Sequence, residues 1–187
     1  MFVQYMYLPE TFMDSIFVPL VKCKSGDLSD VNNYRAISLS NTISKIFESA
    51  IVNELNIDIQ LDYNQFGFKP GHSTALCTNV FKNTVNYFVD RGSHVFACFV
   101  DFSKAFDCVN YWKLFKMLLD DKVNSNIVGV LAFWYSHQQV RVWWHNFVSE
   151  PLNIGNGTRQ GGVLSPKLFV RYIRDVLIKL RDSKVGC

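Results

Sequence analysis

Few residues of this 187-residue chain combine a reactive side chain with a setting that favours chemistry. The clearest is Asp101, which closes the apolar run His94–Val100. A run of that length without alternation predicts a strand buried on both faces. A carboxylate at its end stands at the sheet edge, facing a cleft on a rigid base, which suits a hard cation because Mg²⁺ takes firmly placed oxygen donors. An aspartate ending a strand is also a common turn or cap residue. A two-metal site gathers several oxygens around ions about 3.5–4 Å apart, so one carboxylate does not make it. Asp107 is better placed to cap the next helix than to join Asp101. The four histidines are far apart without ligand spacing, and His72 and His94 read as ordinary polar residues. No P-loop, dinucleotide fingerprint, H-E-x-x-H or G-x-S-x-G motif is present.

The elements that must position these residues follow from period and punctuation. Residues 15–22 form a short apolar strand, followed by a polar loop, Cys23–Asn33. From Asn41 to Leu55, apolar residues at Ile43, Ile46, Phe47, Ala50, Ile51 and Leu55 have helical spacing. The turn-rich stretch Gln65–Thr74 ends in hydroxyl residues suited to cap a helix running to about Val89. Val109–Leu119 and Ile127–Trp134 are helical in pattern. Gln139–Trp144 alternates and pairs with Phe147–Ile154 as a hairpin. A glycine-bearing loop then leads to Ser165-Pro166, read as N-cap and first helical residue of the clearest amphipathic helix, with Leu168, Phe169, Tyr172, Ile173, Val176, Leu177 and Leu180 on one face. The sum is α+β or mixed α/β.

Composition narrows the class. With 49% hydrophobic and 19% charged residues the chain is a globular domain, neither disordered nor fibrous. No apolar run approaches the roughly 18 residues of a membrane span, so no membrane partner is expected. The N-terminal stretch lacks a basic region, and Glu10 and Asp14 interrupt it, which argues against a signal peptide and for an intracellular protein. Five scattered cysteines without a C-x-x-C pair argue against disulfides or zinc. The net charge of +3 decides nothing about a polyanionic partner. Residues 163–187 are locally basic, through Lys167, Arg171, Arg174, Lys179, Arg181 and Lys184 against Asp175 and Asp182.

Four segments, taken in order, carry more. They are Ile16-Phe-Val-Pro-Leu-Val-Lys22 with Asn33-Tyr-Arg35-Ala-Ile-Ser-Leu39; Gln65-Phe-Gly-Phe-Lys-Pro-Gly-His-Ser-Thr74; Phe99-Val-Asp101-Phe-Ser-Lys-Ala-Phe106-Asp107; and Thr158-Arg-Gln160-Gly161-Gly-Val-Leu-Ser165-Pro166. In this order and spacing they resemble the reverse transcriptase domain of LINE-like, non-long-terminal-repeat retrotransposons, from about Tyr7 to Cys187. The resemblance implies a right-hand polymerase fold: a lead-in over 1–14, fingers over 15–93, and part of a palm, an antiparallel sheet backed by helices, over 94–187. It implies nucleotidyl transfer from deoxynucleoside triphosphates to a DNA primer 3′-hydroxyl on an RNA template, with two Mg²⁺ ions, or Mn²⁺ in their place. Asp101 matches the metal-binding palm aspartate, and Phe102 lends a backbone carbonyl. Lys22 and Arg35 match the residues that grip the triphosphate, with Lys24 as a substitute for Lys22. Phe106 matches the aromatic that excludes a 2′-hydroxyl, and Gln160 and Gly161 match the loop at the nucleotide. Lys69, Ser73, Thr74 and Arg159 are placed at the template or primer.

The sequence also departs from the family. The paired aspartates that follow the last helix in relatives are not in this chain, since Asp120-Asp121 ends a helix in the wrong order. The expectation is therefore a truncated piece, inactive alone. A non-catalytic nucleic-acid-binding or interaction protein on the same fold is the alternative. Arg174 stands where relatives usually carry a short polar or acidic residue.

Overall fold

The computed structural model describes residues 1–55 and 64–184. Residues 56–63, inside the expected fingers half, and 185–187, with Cys187, lie outside the described residues. Two short helices open the chain, α1 (Phe2–Tyr5) and α2 (Glu10–Met13), neither signalled by periodicity. They deliver Leu8, Phe12 and Met13 to the core.

A five-stranded sheet follows, in the order β2-β1-β3-β4, with β5 also on β3. β1 (Asp14–Val21) pairs antiparallel with β2 (Tyr34–Ser40), from Ser15 opposite Ser40 to Val21 opposite Tyr34. β3 (Gln139–Trp144) lies on the other side of β1 and runs parallel to it, Asp14 opposite Gln139 and Phe17 opposite Val142. The sheet is thus mixed: the pairings among strands of the 94–187 part are antiparallel, and the one that joins this part to β1 is parallel. Only a long crossover can join parallel neighbours, and here it carries four helices. The expected hairpin partner of β3 is broken into β4 (Phe147–Val148) and β5 (Leu152–Asn153), both antiparallel to β3. The break contains Pro151, which has no amide hydrogen to give to a ladder.

α3 (Thr42–Glu54) starts at Asn41, whose side chain accepts the Ser44 amide at 2.6 Å. The helix buries Ser44, Glu48 and Ile51, while Ile43 and Ile46, expected inside, are exposed. α4 (Thr74–Val89) has the expected bounds and its cap at Ser73, yet buries none of its residues. α5 (Tyr111–Asp120) is capped by Asn110, which accepts the Lys113 amide at 2.9 Å, so Asp107 is not its cap. α6 (Ser125–His137) is the core helix: Val130, Leu131 and Trp134 are buried among α1, α2 and α5. A Cβ on its Gly129 would stand 2.4 Å from the Met6 sulfur, so glycine permits that close approach. α7 (Ser165–Asp182) contributes Leu168 and Val170.

The run 94–100 is the main departure. It forms no ladder with any described strand; Phe96 is 95% exposed and Phe99 83%. Phe99 does meet one ring of α4, Phe81, at 5.7 Å. An unbroken apolar run shows that a segment seeks burial but does not supply the neighbouring strand that a sheet requires.

The basic face expected on α7 is partly neutralised within the fold. Arg171, 4% exposed at its side chain, bonds Asp121, Asp175 at 3.1 Å and the Met117 carbonyl, and Arg174 adds a second contact to Asp121. Removing a buried cation strands its partners, so Arg171→Ala should cost about 3 kcal/mol in urea unfolding, and the exposed Lys179→Ala under about 0.5 kcal/mol.

Candidate functional site

β1 and β2 are joined by a loop that Asn33 organises. Its side chain accepts the Cys23 amide at 3.0 Å and donates to the carbonyls of Cys23 and Asp27, while the Tyr34 hydroxyl donates to Leu28. The loop is therefore a built hairpin tip, and it presents Lys22 and Arg35 at its base. A second feature is the wound turn 103–108, in which the amides of Asp107 and Cys108 both donate to the Lys104 carbonyl. A third is the stretch between β5 and α7.

That third stretch has no regular structure, yet it is tied along its length. The Gly157 amide donates to Val109 and the Thr158 amide to Phe106, at 2.9 and 2.7 Å. Gly157 has φ +91, and a Cβ there would lie 2.8 Å from Asp107 backbone atoms. The Ser38 amide of β2 donates to the Gln160 carbonyl at 2.7 Å, and Gly161, at φ +108, passes so close to Ser38 that a Cβ would meet its carbonyl at 2.9 Å. Glycine is required at both positions, by conformation and by space.

Between these features lies a cavity of about 730 Å³. All six residues expected at a nucleotide, Lys22, Arg35, Phe102, Phe106, Gln160 and Gly161, line it together. They come from three of the four sequence segments. The lining is cationic in balance among the described residues: Lys22, Arg35 and Lys104 stand against one carboxylate, Asp107, which accepts Gln160 Nε2 at 3.3 Å. The Phe106 ring is held between Phe169 at 4.7 Å and Phe68 at 6.0 Å.

Of the other expected residues, Arg159 also lines the cavity and the rest lie outside it. Asp101 is exposed and is not among the lining residues, although Phe102 beside it is. Among the described residues no three His, Cys, Asp or Glu side chains gather closely enough to hold a metal ion. These residues alone therefore do not fit a two-ion site. Ser73 caps α4, its Oγ accepting the Leu76 amide at 3.2 Å, Thr74 is the first helical residue and Lys69 lies in the turn before it; none of the three lines the cavity.

Arg159, expected at template or primer, has its guanidinium turned inward and is 5% exposed. It donates to Gln138 Oε1 at 3.0 Å and to the Met13 carbonyl at 3.2 Å, and lies 5.3 Å from the Trp134 ring centre. Burial lowers its pKa, against the opposing pull of nearby acidic groups. Gln138 passes a hydrogen bond on to the Tyr111 hydroxyl, whose pKa burial pushes up to about 12. Ser165, expected as the cap of α7, is instead its first residue; Leu164 precedes the helix without a side-chain cap bond. The cap comes from Glu48 of α3, whose carboxylate accepts the amides of Val163 and Leu164. Glu48 and Gln138 carry no motif. The only trace of Glu48 in the sequence is its place between Ser44 and Ile51 on one helical face.

Arg159 and Glu48 thus clamp the stretch that carries Gln160 and Gly161. In hydrogen exchange, Arg159→Gln should free the Ser38 and Gly162 amides at least about tenfold while the α5 and α6 amides keep their protection. Glu48→Ala should do the same at Val163 and Leu164, with a loss of about 2 kcal/mol from two stranded helix-start amides. Uniform loosening of the whole chain would contradict a local clamp.

Comparison with known proteins shows the family of the chain. The family described as "Reverse transcriptase (RNA-dependent DNA polymerase)" matches residues 22–187. The chain is 32% identical over 149 residues to the "Probable RNA-directed DNA polymerase from transposon BS" of Drosophila melanogaster, covering 77% of this chain and 16% of that protein. It is 29% identical over 167 residues to the "Transposon TX1 uncharacterized 149 kDa protein" of Xenopus laevis, covering 87% and 13%. It is 23% identical over 179 residues to the "Retrovirus-related Pol polyprotein from type-1 retrotransposable element R2" of Popillia japonica, covering 94% and 24%. The chain spans less than a quarter of the length of each of these relatives. It belongs to the reverse transcriptase (RNA-dependent DNA polymerase) family, with relatives in non-long-terminal-repeat retrotransposons.

Proposed function

We propose that the chain is the nucleotide-binding part of an RNA-directed DNA polymerase, with fingers over 15–93 after a lead-in at 1–14, and the front of the palm over 94–187. The observation that carries this reading is the meeting in one cavity of six residues drawn from distant sequence segments. Its ligand is a deoxynucleoside triphosphate. Lys22 and Arg35 take the phosphates, Lys as a compact charge and Arg through its fork of donors. Gln160 and Gly161 border the nucleotide, with Gln160 fixed by Asp107. An RNA template and a DNA primer are the macromolecular partners, and Lys69 in the turn before α4, with Ser73 and Thr74 at its start, faces the template. Arg159 supports the site from inside and is not a contact to either strand.

Polymerases of this family work with divalent metal ions. In this reading Mg²⁺ is the ion, and Asp101 and the Phe102 carbonyl are the oxygens this chain offers it. What the described residues themselves do is bind, orient and select. Phe106, whose ring packs on Phe169 and meets Phe68, a second lining residue, is the group that meets a 2′-hydroxyl. Selection against ribonucleotides is then steric, and it depends on the two neighbouring rings as well as on Phe106.

dCTP and CTP differ only by that hydroxyl, so they test the reading directly. Titrated into the chain, dCTP should bind about tenfold or more tightly than CTP, and Phe106→Ala should bring the two within about twofold. A preference that survives Phe106→Ala would refute the assignment, and no binding of either nucleotide would refute the site.

A further inference from the structure

We propose that Lys104 is a third phosphate-binding cation of this cavity, a role that none of the sequence segments assigns to it; the proposal rests on the cavity being a nucleotide site. Three basic side chains from different elements line the cavity besides the inward-turned Arg159. They are not equally free. The Lys22 ammonium donates to the Asn32 carbonyl at 2.7 Å. Arg35 and Lys104 make no side-chain hydrogen bond or ion pair with any described residue, so their charges are uncommitted.

Lys104 is also held in place in a way that solvation alone does not explain. Its backbone has φ +51, the left-handed region that a lysine adopts when its surroundings impose it. Here the imposing bonds are the amides of Asp107 and Cys108, both donating to its carbonyl, at 2.9 and 3.1 Å. The same turn carries Phe106, whose carbonyl accepts the Thr158 amide. The turn that carries the sugar-facing ring therefore also anchors the backbone of Lys104, whose residue lines the same cavity. Asp107, the one carboxylate lining the cavity, is engaged by Gln160. A triphosphate, carrying three to four negative charges, is the ligand that such an arrangement of uncommitted cations fits.

The test uses Lys104→Asn, because asparagine tolerates the left-handed conformation while removing the charge, and Lys104→Arg, which keeps it. The chain is titrated with inorganic triphosphate, dCTP and deoxycytidine, and each variant's melting temperature is recorded. Lys104→Asn should weaken triphosphate and dCTP binding about five- to tenfold and leave deoxycytidine and the melting temperature unchanged. Lys104→Arg should restore most of the affinity. Arg35→Gln serves as the reference. If it weakens triphosphate binding and Lys104→Asn does not, the role of Lys104 is overturned while the nucleotide site stands. If the unaltered chain binds no triphosphate, both fall together.

Discussion

The guanidinium of Arg159 is the interaction on which the arrangement of this molecule turns. A full positive charge is carried into the interior, bonded to two neutral acceptors, with no carboxylate bonded to it. Such a group is costly to bury and more costly to strand. Its acceptors belong to α2 and to the residue that links α6 with β3. These bonds thus tie two distant parts of the chain to one residue of the stretch before α7. Glu48 performs the complementary task from α3, supplying negative charge to the amides at the start of α7. Held between an inward cation and an inward anion, the intervening residues have one course to follow. Gln160 and Gly161 face the cavity because the residues on either side of them are fixed.

What could be read from the sequence divides along the range of the interactions concerned. α4 and β3 lie at the residues expected because their signals are local: a serine cap, an alternation of side chains, a change of period. The resemblance to a family, and not any local signal, put six residues at a common ligand, and those six line one cavity. Pairing between elements was not legible. Nothing in β1 or β3 announces that they run side by side in the same direction, because strand direction is set by the crossover between them. The inward turn of Arg159 was hidden for a related reason. An arginine in a glycine-rich loop beside a charged ligand looks like a ligand contact, and only the acceptors on Gln138 and Met13, far away in sequence, show otherwise. Glu48 was concealed by its own chemistry, since a glutamate in a helix normally belongs to the solvent face.

The run 94–100 illustrates the limit of reading burial from hydrophobicity. Phe96, Phe99 and Val100 are the residue types of an inner strand, and they lie exposed beside a helix that buries none of its own residues. On the other side of the molecule, α5, α6 and α7 enclose a well-filled core. The cavity is lined by neither the run 94–100 nor α4: Lys22 and Arg35 reach it from the β1–β2 side, and Phe102, Lys104 and Phe106 from the turn after residue 101.

The parallel pairing of β1 with β3 has a further meaning in time. Ser15 bonds the Gln139 carbonyl across 124 residues of chain. At ordinary rates of translation, β1 emerges on the order of ten seconds before its neighbour exists. Until then one edge of β1 is open, and the cavity wall that β1 and β2 form has nothing behind it. α5 and α6, separated by a short turn, can pair at once, and low sequence separation makes them the natural early nucleus. The cavity is then among the last features to close, and its assembly waits on the arrival of Gln139, Arg159 and Gln160. A ribosome pausing between residues 100 and 140 would hold the chain in the state most open to edge-to-edge association with its neighbours.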